Sequence, residues 1–404
     1  MNIPKTAVNI IKRLNEASYE AYFVGGCVRD MLMGKEPLDW DITTSAQPSE
    51  IKAIFKKTVD TGIKHGTVTV LTSGASYEVT TYRLDGKYAD YRHPDEVIFA
   101  ADLKEDIKRR DFTVNAIAYH PNEGYIDFFG GKDDIKAGII RGVGDPDERF
   151  SEDALRMLRA IRFAAQLGFS IEDNTFSALC KNTGLISHVS MERIRDEFIK
   201  TFTAEHVEKA GYFARCKILD HALPFMAGYL RENLERFTAF VKNLKKHERV
   251  SANVLSLLFA YCRDSREVIS HLKAMKTDNA TIRSVTAISQ EIRRKIPKAS
   301  FDIKSTIVRT GTANFFSLLV CKEACGEDVD DIKVIAEAII KRCEPLFIKD
   351  MRINGNILKE RFNISGVKVG EALHALHAEV LKDPLNNTEE YLLETAAKLL
   401  EGVQ

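Results

Sequence analysis

The first apolar repeat along the chain has a helical period. Between Pro4 and Glu20, Val8, Ile11 and Leu14 recur among polar positions and predict an amphipathic helix. The period then shortens. Ala21-Tyr22-Phe23-Val24 reads as a strand, and Val28 to Met33 reads as a helix that stops at Gly34. β-rich runs follow at Trp40 to Thr43, Thr67 to Leu71, Tyr77 to Arg83 and Tyr125 to Phe129, with turns at Gly62, Gly66, Gly74 and Gly130-Gly131. Pro48 to Lys57 reads as a helix. Leu84 to Val97, rich in charge and tyrosine and without a period, reads as a mobile loop. From about residue 146 the period is helical. Ser151 is a candidate N-cap for a long helix to Leu167, closed by Gly168. Amphipathic segments continue through 172–184, 190–203, 205–217, 230–244, 251–262, 264–275 and 278–295. The rest is mostly helical, with a turn at Asn354-Gly355 and a last helix pair opening at Gly370. The pattern predicts an α+β chain: a small α/β head, then a long helical body.

Composition narrows this picture. A length of 404 residues allows two to four domains, and 45% hydrophobic residues allow ordinary cores. The 58 basic and 58 acidic residues cancel. Neutrality argues against indiscriminate nucleic-acid binding but leaves a local, shaped RNA site open. The seven cysteines are scattered and odd in number, without a Cys-x-x-Cys pair, which fits reduced thiols and no structural zinc. The spacings Cys321/Cys325 and His374/His377 fit helix packing. The N-terminus does not read as a secretory signal, and no apolar stretch approaches the roughly 18 residues of a membrane span. A cytoplasmic protein without a membrane partner is expected.

Three segments carry chemistry. In the first, Asp39-Trp40-Asp41 follows the turn Gly25-Gly26-Cys27-Val28-Arg29-Asp30. In an extended strand, residues i and i+2 face the same side, so both carboxylates project together. They repel unless a cation lies between them, and hard oxygen ligands suit Mg²⁺. The two glycines allow close backbone approach to a ligand, and a following helix N-terminus favours anions. Together these suggest nucleotidyl transfer from a nucleoside triphosphate. The second segment, Glu105 to Ala116, reads as a charged helix, a turn capped by Asp111 or Thr113, and another helix; it brings Arg109-Arg110 close to the head.

In the third segment Asp153, Arg156, Arg159 and Arg162 recur every third residue, a drifting polar stripe if all are helical. Leu155, Leu158, Ile161 and Phe163 then pack inward. Spacing alone favours a solvent-exposed stripe with an Asp153–Arg156 ion pair worth ~0.3–0.5 kcal/mol. Base chemistry offers a sharper reading. Cytosine and adenine both present an amino donor beside a ring-nitrogen acceptor, matched by one carboxylate and one guanidinium. Uracil and guanine would leave buried polar groups unpaired, at ~1–3 kcal/mol each. Asp153 and Arg156 could thus act as a protein template.

In this order, the three segments resemble the bacterial class II tRNA nucleotidyltransferases, the CCA-adding enzymes. The matching residues are Gly25 to Asp30 with Asp39-Trp40-Asp41, Arg109 to Ala116, and Glu152-Asp153-Ala154-Leu155-Arg156 continuing through Arg159 and Arg162. Glu192 to Phe198 is similar to the family's supporting neck helix, and Asp350 to Gly355 and Gly366 to Gly370 to its tail. The resemblance implies a seahorse-like molecule: a nucleotidyltransferase head (1–138), a base-recognising neck (139–225), a helical body (226–325) and a tRNA-binding tail (326–404). It implies addition of C, C and A to the 3′ end of tRNA from CTP and ATP without a nucleic-acid template. Asp39 and Asp41 would hold two Mg²⁺, one activating the 3′-hydroxyl and one steadying the triphosphate. Gly26, Arg29, Arg110, Asp153, Arg156, Arg159 and Arg162 would bind the nucleotide. Glu78 is a candidate third carboxylate. The segment Leu84 to Val97 matches a loop that the family needs for the final A.

By the same resemblance, the body and tail would hold the acceptor and T arms of tRNA. Candidate basic spots are Lys245-Lys246, Arg293-Arg294-Lys295 with Lys298, and Lys341-Arg342. Alternatives are a CC-only or A-only enzyme, a bacterial poly(A) polymerase, and a non-catalytic RNA-binding module. The segment Thr388 to Gln404 is not basic, unlike the polymerases' C-terminus, and the intact acidic pair argues against a dead head. Oligomeric state stays open, with a homodimer as one option.

Overall fold

The computed structural model describes residues 3–63, 66–85, 97–99, 102–262 and 264–401. It divides into two units, Met1–Thr238 and Ala239–Gln404. The first opens with α1 (Lys5–Glu16), which buries Ala7, Ile10, Ile11 and Leu14. Next come β1 (Ala21–Val24), α2 (Gly26–Leu32), β2 (Asp41–Thr44), α3 (Pro48–Ile54), β3 (Thr58–Gly62), β4 (Thr67–Thr72) and β5 (Ala75–Thr81). A short antiparallel pair, β6 (Arg83–Asp85) and β7 (Val97–Phe99), precedes α4 (Leu103–Lys108), β8 (Ile117–His120), β9 (Gly124–Asp127) and α5 (Gly131–Ala137).

Seven of these strands form one sheet, in the order β3-β4-β5-β2-β1-β8-β9. Only β2 and β5 run parallel. Alternation along β1 splits the core. Phe23 joins Ile42, Val68, Val79 and α1 on one side, while Val24 joins Tyr82, Ile107 and Ala118 on the other. Register then places the chemistry. Asp41 lies opposite Val24, and Ile42 lies opposite Val79, so Gly25, Asp41 and Glu78 fall at one end of the sheet.

Several expectations shift here. β2 begins at Asp41, so Asp39 and Trp40 precede it. The helix expected to Lys57 ends at Ile54, because the chain turns extended at Phe55 and supplies β3, which lacks a strong apolar alternation. The second helix expected after Asp111 is a 3₁₀ turn (Thr113–Asn115) followed by β8. Tertiary pairing with β1 and β9 overrides local helix preference there. Most of the expected loop from Leu84 to Val97 lies outside the described residues.

Beyond the head, β10 (Ile139–Ile140) pairs in parallel with β11 (Ser170–Ile171). The helices are α6 (Pro146–Glu152), α7 (Leu155–Leu167), α8 (Asp173–Asn182), α9 (Met191–Phe202), α10 (Gly211–Cys216), α11 (Leu219–Ala222) and α12 (Ala227–Asn243). The single helix expected from Ser151 is therefore two. Asp145 caps α6, Pro146 takes its first position, and Ser151 sits within it. Asp153 then turns extended (φ −139°) and its side chain accepts from the Leu155 amide, competing with the helix. Gly168, at φ +77°, closes α7 as expected. Phe198, Phe202, Phe213 and Phe237 form an aromatic core beneath, with Phe202 and Phe237 ring centres 4.4 Å apart.

The second unit is helical: α13 (Ser251–Leu258), α14 (Ser265–Ala274), α15 (Asn279–Glu291), α16 (Ser300–Thr310), α17 (Thr312–Ala324), α18 (Asp330–Lys341), α19 (Gly355–Phe362), α20 (Val367–Lys382) and α21 (Glu389–Glu401). Asn354 is the N-cap of α19 rather than part of a turn, accepting from the Asn356 and Ile357 amides. Gly370 lies inside α20. Its last helices pack around Ile353, Leu358, Leu376, Val380 and Leu392. The seven cysteines are unpaired. Among the described residues no helix is long and apolar enough to cross a membrane.

Candidate active site

The acidic site is built by one glycine. Gly25 adopts φ +76°, ψ −136°, which side chains disfavour. A Cβ there would meet Arg110 Nη1 at 3.2 Å and Asp41 Oδ2 at 3.7 Å, so the bare backbone lets this cation and this anion approach the turn. Trp40 turns into the core, edge-on to Phe23 at 5.1 Å, while Asp39 and Asp41 stay exposed. Although Asp41 is open to solvent, crowding by surrounding protein gives its carboxyl the largest upward push. Arg110 opposes this, while Glu78 and Asp39 add to it, and the net shift is upward.

Asp39, Asp41 and Glu78 thus form an electrostatically strained acidic patch of hard donors. Among the described residues no three such groups close into an ion-holding cluster. The donor set is open, which suits a divalent cation that keeps water or phosphate oxygens as its other ligands.

Arg110 is held from below by Asp106, a residue that sequence reasoning passed over. Asp106 is fully buried and accepts from Thr43 Oγ1 (3.0 Å) and from Arg109 Nε (3.0 Å), with Arg110 Nη2 at 3.6 Å. Burial alone would raise its carboxyl, but Arg109 and Arg110 outweigh burial and hold it below the usual range. The i, i+3 and i, i+4 spacing of Asp106 to the arginine pair was the available signal.

A second network reaches from the turn to α7. Arg29 Nη1 donates to Asn115 Oδ1 at 2.7 Å, and Asn115 Nδ2 donates to Asp111 Oδ1 at 3.3 Å. Arg159 Nε donates to Asp111 Oδ2 at 2.8 Å. Burial pushes the Asp111 carboxyl up, yet Arg159 above all holds it down at about 2. Arg162 pairs with the buried Glu197 of α9 and donates to Gln166 at 2.7 Å. Arg29, Arg159 and Arg162 share the Phe163 ring, at 5.5, 5.3 and 3.9 Å from its centre. Phe163 is buried, as expected, but beneath the arginines rather than away from them.

Arg156 is also buried, and its guanidinium donates to Glu152 and to the carbonyls of Arg149 and Arg109. Asp153 sits outside the α7 stripe, at the α6–α7 break. Its ion pair is with Arg193 of α9, at 2.8 Å. The structure therefore brings Asp41 and Arg110 together at the Gly25 turn with Asp39 and Glu78 near Asp41, sets Arg29 beside Gly26 and links it through Asn115 and Asp111 to Arg159, packs Arg162 on the same Phe163 ring, and gives Asp153 a different partner from the one its spacing implied. Arg193, Asp111, Asn115 and Glu197 were missed as site residues because their partners lie 35 to 86 positions away.

Comparison with known proteins shows the family. Residues 21–141 match the family model of the Poly A polymerase head domain, 168–230 the probable RNA and SrmB-binding site of polymerase A, and 244–396 the putative tRNA nucleotidyltransferase domain 2. The CCA-adding enzyme of Lactobacillus johnsonii is 39% identical over 97% of this chain and 98% of its own. The chain belongs to the CCA-adding enzymes. That of Latilactobacillus sakei is 40% identical over 96% of this chain and 97% of its own. The crystal structure of the Bacillus stearothermophilus CCA-adding enzyme in complex with CTP superposes with a TM-score of 0.85, at 32% identity and full coverage of both chains. Nucleotidyltransferases with this head generally depend on divalent metal.

Proposed function

We propose that this chain adds C, C and A to the 3′ end of tRNA, using CTP and ATP and no nucleic-acid template. The observation that carries the reading is the unbroken chain of polar contacts Arg29–Asn115–Asp111–Arg159, which joins the glycine turn beside the acidic residues to Arg159 of α7. Asp39 and Asp41, with Glu78 beside them, would hold Mg²⁺, which when bound makes the terminal 3′-hydroxyl a better nucleophile and neutralises the triphosphate and departing pyrophosphate. Arg110 faces the same turn and is suited to phosphate oxygens. Gly26 and Arg29 lie at the phosphate and sugar end, and Arg159 and Arg162 orient the nucleotide.

Asp153 and Arg156 read the base. Each is held from its own side, Asp153 by Arg193 and Arg156 by Glu152 and two carbonyls, which limits the orientations either side chain can take. Head (1–138), neck (139–225), body (226–325) and tail (326–404) divide the work between chemistry, base reading and tRNA holding. A cytoplasmic setting fits the unpaired cysteines.

The test is product sizing on tRNA that lacks its 3′ end. CTP alone should add two nucleotides, CTP with ATP should add three, and UTP or GTP none. A long A tail would instead assign the chain to the poly(A) polymerases.

A further inference from the structure

α6 carries a largely buried arginine whose side chain the site above does not use. Arg149 is 12% exposed, and its Nε is buried without a hydrogen-bond partner among the described residues. A guanidinium left short of a partner in the interior weighs against folding, and an apolar side chain of similar length would fill the space without that cost. Stability therefore does not account for an arginine here, and its contacts point elsewhere.

Those contacts close a ring. The Arg149 guanidinium pairs with Glu152 Oε1, one turn on, and Glu152 Oε2 takes Arg156 Nη1. Arg156 Nη1 also donates to the carbonyl of Arg149 at 3.1 Å. The ring is fastened to the head at two successive carbonyls. Arg149 Nη1 donates to that of Lys108 at 3.4 Å, and Arg156 Nη2 to that of Arg109 at 3.0 Å. Lys108 ends α4, and Arg110, which faces the Gly25 turn, follows two residues on. With an arginine on each oxygen, the Glu152 carboxylate cannot move onto either guanidinium without breaking a pair.

We propose that Arg149 is a positioning residue for base selection. The proposal rests on the proposed function, which gives base reading to Arg156. Arg149 holds one oxygen of Glu152, leaving the other for Arg156 Nη1 while Arg156 Nη2 stays on the Arg109 carbonyl. Without Arg149, Glu152 is free to take Arg156 with both oxygens, the geometry that a guanidinium and a carboxylate favour, and the pull is away from the head. The base reader then loses its set place relative to Arg110, and with it the set reach between the base and the phosphates of one nucleotide. Arg149 acts through Glu152 and Arg156 and needs no contact with the nucleotide.

The experiment measures equilibrium binding of CTP and of UTP to the full chain, with Mg²⁺ and without tRNA, for wild type, Arg149→Met and Arg149→Lys, and takes the ratio of the two dissociation constants. Arg149→Met keeps an apolar stem and removes the guanidinium. Its preference for CTP should fall five- to tenfold, and that of Arg149→Lys, which keeps a charge beside Glu152 but no fork, two- to threefold. Glu152→Gln should lower the preference too, and Arg149→Met added to it should lower it no further, because both act through one carboxylate. A wild-type preference in Arg149→Met, at whatever melting temperature, would overturn the proposal, as would additive losses in the double variant. Equal affinities in wild type would also overturn it, since there would be no base reading to support. Should Arg149→Met fail to fold, Arg149→Lys decides in its place, and a wild-type preference there is the overturning result. Binding is read without nucleotide addition. A chain that adds no CCA yet loses preference in Arg149→Met would keep the positioning role and reject the function, while a CCA-adding chain whose preference ignores Arg149→Met would do the reverse.

Discussion

Arg193 of α9 donates to Asp153 at 2.8 Å, across the break between α6 and α7. The carboxylate is thereby aimed by a residue forty positions away, while the Leu155 amide at the start of α7 holds its other oxygen. Arg193→Ala should leave Asp153 held by the Leu155 amide alone. We expect discrimination between CTP and UTP, taken as the ratio of kcat/KM values, to fall about tenfold, with Arg193→Lys recovering part of it. A ratio equal to wild type, in a variant that has merely lost melting temperature, would make the pair a packing feature alone.

Asp41 sits among like charges, and Asp39 and Glu78 raise its carboxyl. Replacing it by Asn removes repulsion from the apo protein. Asp41→Asn should therefore melt at or slightly above the wild-type temperature without metal. Millimolar Mg²⁺ should raise the melting temperature of wild type, by mass action on the folded state, and leave that of the variant unmoved. Nucleotide addition should fall below detection. An equal Mg²⁺-induced shift in both proteins would remove Asp41 from the metal site.

How far these residues could be read in advance follows the range of the forces involved. The acidic pair was legible because burial alternates locally even before β2 begins: Trp40 buries, and its neighbours Asp39 and Asp41 do not. Gly168 was legible because a left-handed residue closes a helix wherever it occurs. The α6–α7 break was not, since it turns on one side chain, Asp153, capturing the Leu155 amide against a helix-favouring sequence. β3 and β8 were missed for a related reason: neither alternates strongly, and each is a strand because a neighbour offers hydrogen bonds. The partners of the arginines were invisible for a different reason. Glu197 and Asp111 meet them, and Arg193 meets Asp153, only through the fold.

The Asp111–Arg159 pair makes a pH-dependent contribution whose sign is fixed. Asp111 has a folded-state pKa near 2, depressed from 3.8. A depressed carboxyl favours the folded state above its unfolded pKa, and that contribution fades as pH falls from about 4 towards 2. The shift corresponds to about 2 kcal/mol. Asp111→Asn should be destabilised by about that amount at pH 7 in denaturant melts, with the gap to wild type narrowing below pH 4. A gap that is constant from pH 7 to pH 3 would mean that packing, not charge, sets its cost.

Phe163 touches the chemistry only through others. Its ring lies within 5.5 Å of the guanidiniums of Arg29, Arg159 and Arg162 and meets Phe112 edge-on at 5.8 Å. Each cation–ring contact is worth roughly 0.5–1 kcal/mol, so the ring biases three cations toward one side of the site. Phe163→Leu keeps an apolar side chain in the core but removes that bias. The KM for CTP and for ATP should each rise three- to tenfold, by equal factors, because the ring orients cations and reads no base. Affinity for tRNA, held elsewhere, should stay as in wild type. Unequal effects on the two nucleotides would place Phe163 against the base instead, and unchanged KM values with a lowered melting temperature would reduce it to core packing.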